Sequence, residues 1–96
     1  MAITPSKEKT KRQRVTFSLE AADAQKVILG GDFNKWNPDT HSMTKDKSGV
    51  WKKALVLPRG RFEYKFLVDG QWRNDPKNKE TCPNCFGTYN NVLVIS

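Results

Sequence analysis

The sequence predicts an all-β fold, an antiparallel β-sandwich of immunoglobulin-like size with about seven strands. Three observations predict it. The stretch Arg61-Phe62-Glu63-Tyr64-Lys65-Phe66-Leu67-Val68 alternates strictly, with Phe62, Tyr64, Phe66 and Val68 on one face of an extended chain. Asp69-Gly70 follows it, the dipeptide a type I′ hairpin turn favours, since Gly accepts positive φ freely and Asp tolerates it. No segment carries an i, i+3, i+4, i+7 stripe, and the short apolar runs are separated by turn residues. A five-stranded barrel of the oligonucleotide-binding type is the structural alternative.

In chain order, residues 1–11 have no apolar period and contain Pro5. The sequence assigns 1–13 to a disordered basic tail and 14–96 to the sandwich. Arg14 to Glu20 alternates, with Val15, Phe17 and Leu19 inward, and reads as a strand. Residues 21–24 are a connection too short for a stable helix. Gln25 to Gly31 is a β-branched strand ending in glycines, and Gly31 to Pro38 is rich in turn formers yet contains Phe33 and Trp36.

Residues 40–47 alternate weakly around Met43, as an edge strand would, and Ser48-Gly49 turns the chain. Val50 to Leu57 is a strand with Trp51, Leu55 and Leu57 on its core face. Pro58-Arg59-Gly60 is a tight turn into the alternating strand. Residues 73–88 read as a long polar loop, and 90–96 as a final apolar strand.

The 96 residues make one small domain. Such a domain buries roughly 60–70% of its extended surface, enough for one thin core. No apolar run approaches the ~18 residues of a membrane span, and the basic N-terminus has no apolar h-region of a signal peptide. The expected setting is therefore cytoplasmic, with no membrane partner. Net charge is +7, but residues 1–14 carry +4 of it and the other 82 residues +3. The tail is either a solvated arm or a contact for nucleic acid or another acidic partner. The folded part is too weakly basic for a phosphate-tracking groove, so nucleic acid is not the expected ligand.

Cys82 and Cys85 form one C-x-x-C, half a zinc site at most, with His41 the only histidine. They lie in a Pro/Asn/Lys-rich loop and not at a strand-to-helix junction. Loop thiols or a local disulfide, a metal shared across a dimer, and redox chemistry all stay open. Two intervening residues cannot bridge sheets ~10 Å apart.

Catalysis is hard to assemble. Asp32 and Asp69 read as turn residues. A glycoside hydrolase needs facing carboxylates ~5–10 Å apart in a cleft, which a thin sandwich rarely offers. No Gly-rich phosphate loop precedes a helix. The chain is read as a non-enzyme, with no metal or cofactor expected.

Binding fits better. Trp51 stands at an inward strand position and belongs to the core. Trp36 and Trp72 each stand in polar, turn-like segments. Each is either a lid over the sandwich end or an exposed stacking platform for a sugar or base. Lys65 lies on the solvent side of the central strand, either as a solvated charge or as a donor to a ligand oxygen. Asn90 and Asn91 either cap the last strand or bond ligand hydroxyls.

Three blocks together carry a family resemblance: Gly31-Asp32-Phe33-Asn34-Lys35-Trp36; Tyr64-Lys65-Phe66 with Val68-Asp69-Gly70-Gln71-Trp72 and Asp75-Pro76; and Gly87-Thr88-Tyr89-Asn90-Asn91-Val92. In order and spacing, over about residues 15–96, they resemble the family-48 carbohydrate-binding modules. These include the early-set domains of glycogen branching and debranching enzymes and the glycogen-binding domain of the AMP-activated protein kinase beta subunit. The resemblance implies an early-set, immunoglobulin-like sandwich that binds α-1,4-linked glucans (glycogen, starch, maltooligosaccharides) without cleaving them. It puts Trp36 and Trp72 at the sugar-stacking positions and Lys65 and Asn90 at the hydroxyl-binding ones. Phe86 falls where the kinase domain has a leucine that threads against the glucan, and Thr88 at a further polar position of that loop. The Cys82–Cys85 element and the basic tail depart from the pattern. The implied partners are an α-glucan and a separate glycogen-metabolising enzyme or regulator, since no catalytic domain or kinase-assembly segment is expected in these residues. Some members of the group have lost sugar binding and serve as interaction domains. The alternative is therefore a regulatory protein-interaction sandwich with a vestigial sugar site and a basic arm.

Overall fold

The computed structural model describes residues 12–96; residues 1–11, which make up most of the expected tail, lie outside the described residues. Eight strands follow one another: β1 (Arg12–Glu20), β2 (Val27–Gly31), β3 (Thr44–Lys45), β4 (Val50–Pro58), β5 (Gly60–Val68), β6 (Gln71–Arg73), β7 (Thr81–Pro83) and β8 (Tyr89–Ile95). One sheet runs β1-β4-β3 and the other β2-β5-β8-β7, with β6 also paired to β5 and every pairing antiparallel. Two separate sheets make a sandwich, as expected, and not a closed barrel. β1 begins at Arg12, so Arg12 and Gln13, assigned to the tail from sequence, are strand residues opposite Pro58 and Leu57.

The inward residues are those the alternation marks. Phe17 and Leu19 of β1 and Trp51 and Leu57 of β4 meet Val27, Leu29, Tyr64, Phe66, Val68 and Ile95 of the other sheet in one cluster. Phe17 and Tyr64 cross the gap between the layers edge to face, with ring centroids 5.0 Å apart. Phe66 is fully buried, and burying such a side chain is worth about 1.5–3 kcal/mol. Trp51 is core, and its indole N–H donates to the Ala21 carbonyl at 2.9 Å, which ties the 21–24 connection to β4.

The Asp69-Gly70 turn is as expected. Val68 pairs with Gln71, and both turn residues have positive φ, 47° and 86°. The Asp69 carboxylate also accepts the N–H groups of Gln25 and Lys26, at 3.0 and 2.8 Å, and so fastens the start of β2. The segment 73–88 is not one loop. β6 ends inside it and β7 pairs with β8 there. Neither short strand buries an apolar face, so neither has a period to read, and Pro83 suits an edge. The expected strand at 40–47 shrinks to β3 and an isolated bridge between Ile28 and Ser42. The Pro58–Gly60 turn carries the chain from one sheet to the other.

The rest of the long segment is stapled by Asn91, fully buried on the inner face opposite Tyr64. Its Oδ1 accepts the Asp75 N–H at 2.7 Å and the Asn74 amide at 3.2 Å, and its Nδ2 donates to the carbonyls of Asp75 and Asn78. Asn91 thus has a structural role, not the ligand-binding one the sequence left open. Beside it the Tyr64 hydroxyl donates to Asp75 at 2.8 Å and accepts from Asn78. Burial, with the Asp75 carboxylate adding and Asn78 opposing, raises the Tyr64 phenol above its ordinary value and keeps it a donor.

Candidate functional site

The outward residues of the five-stranded sheet are set by the same alternation. With Tyr64, Phe66 and Val68 inward, Lys65 and Leu67 face out. Register places Gly30 beside Lys65, and Trp72 beside Leu67. Asn91 is inward, so Asn90 faces out. On this face a cavity of about 610 Å³ is lined by Trp36, Lys65, Trp72, Phe86, Thr88 and Asn90, together with Asn84 and Cys85. All six residues singled out from sequence therefore meet, although they come from three separate stretches of chain.

The two tryptophans are held differently. Trp36 follows the 3-10 turn Asp32–Asn34, and both Lys35 and Trp36 sit in the left-handed region, at φ 55° and 60°. That conformation costs roughly 1–2 kcal/mol per residue. Asn34 offsets it: its Oδ1 accepts the N–H groups of Gly31 and Trp36, and its Nδ2 donates to the Leu29 carbonyl and Thr40 Oγ1. Asp32 fixes the ring, accepting the Trp36 indole N–H on Oδ1 at 3.1 Å and the Glu63 N–H on Oδ2 at 2.8 Å. The sequence marked Asp32 only as a turn residue. A carboxylate four positions before an out-of-place Trp was the available signal.

Trp72 stands on β6 and is 43% exposed. It lies over Gly30, where a Cβ would come within 2.9 Å of Cη2 and Cζ3 of the indole. The bare backbone at Gly30 thus lets the ring settle onto β2. The centroids of Trp36 and Trp72 are 5.8 Å apart and their planes cross at 72°. The rings form a corner, not a flat shelf.

Lys65 is a correction. Expected on the solvent side, it is 7% exposed. The outer face of β5 is covered by the two indoles and by the 84–88 turn, which bury the aliphatic stem. Its ammonium donates to Thr88 Oγ1 at 3.3 Å. An ammonium has three donors, so the others remain available to a ligand in the cavity. Asn90 is also buried. It donates to Glu63 Oε1 and accepts from Asn84 Nδ2, both at 2.9 Å, with one donor and one lone pair left over. The amide of Asn90, then Arg61 at 2.8 Å from the other oxygen, hold the Glu63 carboxyl below the ordinary glutamate value.

Asn84, which sequence reasoning missed, organises the turn. Its Oδ1 accepts the N–H groups of Phe86 and Thr88, and its Nδ2 reaches Thr88 Oγ1 and Asn90. An Asn bonded to the backbone two residues on is a common turn device, so composition alone gave no reason to single it out. Phe86 is held out in water at 85% exposed, the most exposed large apolar side chain described. Cys82 and Cys85 are free thiols, the latter exposed on the cavity wall.

Among the described residues the cavity walls carry one cation and no carboxylate or histidine. His41 lies elsewhere, stacked on Phe33, with its pKa lowered by partial burial and then by Lys53. Among the described residues no three His, Cys, Asp or Glu side chains cluster as metal ligands, and no helix is long and apolar enough to cross a membrane. What these walls can do is stack against flat apolar faces and exchange hydrogen bonds with polar edges.

The family model for the glycogen recognition site of AMP-activated protein kinase matches residues 14–96. The chain is 40% identical over 73 residues to Protein PTST homolog 2, chloroplastic, of Arabidopsis thaliana, covering 76% of this chain and 13% of that protein. It is 38% identical over 84 residues to the 5'-AMP-activated protein kinase subunit beta-1 of Sus scrofa, covering 85% and 64% of the two chains. With subunit beta-2 of Homo sapiens it shares 32% identity over 93 residues, 97% of this chain and 33% of that one. The chain thus spans between 13% and 64% of the length of these relatives.

Proposed function

The chain belongs to the family of the glycogen recognition site of AMP-activated protein kinase, and from that premise we propose that its outer-face cavity binds α-1,4-linked glucans without cleaving them. The observation that carries the reading is the corner of Trp36 and Trp72, half-open to water, with the Lys65 ammonium, Asn90 and Thr88 in the same cavity. In it Trp36 and Trp72 stack on sugar faces, Lys65, Thr88 and Asn90 bond hydroxyls, and Phe86 closes the far side against the chain. A helically wound α-glucan offers successive rings at an angle, and a corner meets that better than a shelf. Among the described residues no carboxylate lines the walls, which supports the non-cleaving reading.

If each stack is worth ~1–3 kcal/mol, by analogy with nucleobases, the two indoles contribute about 2–6. Hydrogen bonds add ~0.5–1.5 kcal/mol each, and lost ligand freedom offsets much of the sum. A net of about −4 to −7 kcal/mol corresponds to a Kd between about 1 mM and 10 μM. Retention on a glycogen particle then comes from many chain ends offered together. The module would bring a separate glucan-metabolising enzyme or regulator to the polymer. The same recognition serves in the cytoplasm or, as for the relative named chloroplastic, in a plastid.

Phe86, so fully exposed, equally suits a protein-docking face, and that is the second reading. Co-sedimentation with glycogen and calorimetry with maltoheptaose, each at two salt concentrations, separate the two. We expect binding that barely responds to salt, because the stacking is uncharged, and loss of most of it in Trp72→Ala with the fold intact. Unchanged glucan retention in that variant would refute the role of Trp72. No retention of the wild type would leave the docking reading, and strong, salt-sensitive binding to an added single-stranded oligonucleotide, lost on deleting residues 1–11, would favour nucleic acid instead.

A further inference from the structure

Both cysteines stand on the glucan-facing side of the β7–β8 hairpin. Cys82 pairs with Asn90, a cavity residue, across β7 and β8. Its thiol lies near the Arg61 guanidinium and the Glu63 carboxylate, and that carboxylate accepts from the Asn90 amide at 2.9 Å. Cys85 is exposed, forms part of the cavity wall and immediately precedes Phe86. The two thiols are not joined. The chain leaves β7 at Pro83 and turns at Cys85-Phe86, with the Asn84 N–H donating to the Thr88 carbonyl at 2.9 Å. A disulfide requires Cα atoms about 4.4–6.8 Å apart, and Pro83, a strand residue, holds the chain extended where it leaves Cys82. A bridge between them therefore forms only if the end of the hairpin bends back toward Cys82.

We propose that Cys82 and Cys85 are a thiol–disulfide exchange site that takes a small-molecule disulfide of the glutathione class, and that their oxidation dismantles the Phe86 wall of the cavity. The second half of this statement rests on the glucan reading above; the first does not. The Cys85 thiolate, the more exposed of the two, attacks one sulfur of the small disulfide. A mixed disulfide forms and one small thiol leaves. The Cys82 thiolate then attacks Cys85 Sγ, closing the Cys82–Cys85 bond and releasing the second small thiol. The two cysteines lose two electrons, the small disulfide gains them, and the two cysteine protons end on the two released thiols.

Drawing Cys85 back breaks the contacts that Asn84 makes with Phe86 N, Thr88 N and Asn90. Phe86 leaves with its neighbour, and Thr88 loses the partner that fixes its hydroxyl near Lys65. Trp36 and Trp72 are mounted on other elements and stay. Oxidation thus weakens the site without erasing it. A bridge closed against its own hairpin is strained, hence readily reduced, as labile regulatory disulfides are.

The test equilibrates the full chain in buffers of defined oxidised-to-reduced glutathione ratio and reads the product by mass, with maltoheptaose affinity measured in parallel. We expect the loss of two hydrogens, a Kd raised about tenfold, the scale of one lost stack, and recovery on adding reductant. Cys82→Ser is expected to keep the affinity of the reduced protein and to give at most a glutathione adduct on Cys85. A bridge that forms with unchanged Kd overturns the coupling to the cavity. An adduct alone, or no product in excess oxidant, overturns the exchange site. If the reduced protein itself fails to bind maltoheptaose, the proposed function falls instead. The rearrangement is then judged by the Phe86 ring proton shifts, which must move on oxidation for the proposal to stand.

Discussion

On the inner face of β5, Tyr64, Phe66 and Val68 are buried among apolar neighbours from both sheets. On its outer face Lys65 is also buried, yet beneath two indoles and a polar turn and beside an open cavity. Asn90 and Asn91 repeat the contrast one strand away. Asn91 spends its whole hydrogen-bonding capacity on the 74–78 segment, while Asn90 keeps a donor and a lone pair in reserve. Burial alone thus does not separate core from site on this sheet. The useful criterion is whether the polar capacity of a buried group is exhausted. The inner face is closed by packing, whereas the outer face keeps unspent donors and acceptors.

The largest effect should come from the inner face. Phe66→Ala leaves a cavity between the layers and should cost about 3–5 kcal/mol of stability, read as a lowered denaturant midpoint. A loss under about 1 kcal/mol would mean that Phe66 is not at the centre of the core. Asn91→Ala strands the Asp75 N–H in a buried position and should cost about 1–3 kcal/mol. Maltoheptaose affinity of its folded fraction should hold, and a parallel loss of affinity would erase the distinction between the two asparagines.

On the outer face the order reverses. Asp32→Ala removes the acceptor of the Trp36 indole and of the Glu63 N–H, so stability should fall by only about 1 kcal/mol. Glucan affinity should fall severalfold as the Trp36 ring loses its angle, which calorimetry beside an unfolding curve would show. The smallest effect is that of pH. Asn90 and Arg61 hold Glu63 below its ordinary value, so it is ionised in the folded chain where the unfolded chain would already take a proton. Its contribution is complete above the unfolded value and is lost as pH falls through the lower folded one. Carboxyl NMR should find Glu63 titrating on the acid side of ordinary glutamates, and Glu63→Gln should remove that part of the acid dependence. A midpoint on the alkaline side would contradict the Asn90 contact.

Much of this was written locally. Period-two alternation at 61–68 marks the inner face before any partner is known, because successive Cβ atoms of a strand must point to opposite sides. Asp69-Gly70 sets the hairpin for an equally local reason, since both residues must take positive φ. Six of the eight cavity residues were legible through the order and spacing of three motifs, with Phe86 just before the third, and two of the motifs hold an aromatic in a polar stretch where packing gives it no reason to be. The pairings of β6 and β7 were not legible, because strands of three exposed residues have no hydrophobic period, and their place comes from a turn and from Asn91.

The sequence by itself determined which face of each long strand is core and which side chains have no place in it. Only the tertiary structure decided that Lys65 is buried, that Asp32 and Asn84 hold the walls, that Gly30 makes room for Trp72 and that the two indoles meet at 72°. The physical reason is range. Alternation and turn chemistry follow from a residue and its immediate neighbours, whereas burial on the outer face and the angle between two rings depend on segments distant in sequence that meet only once both sheets have formed.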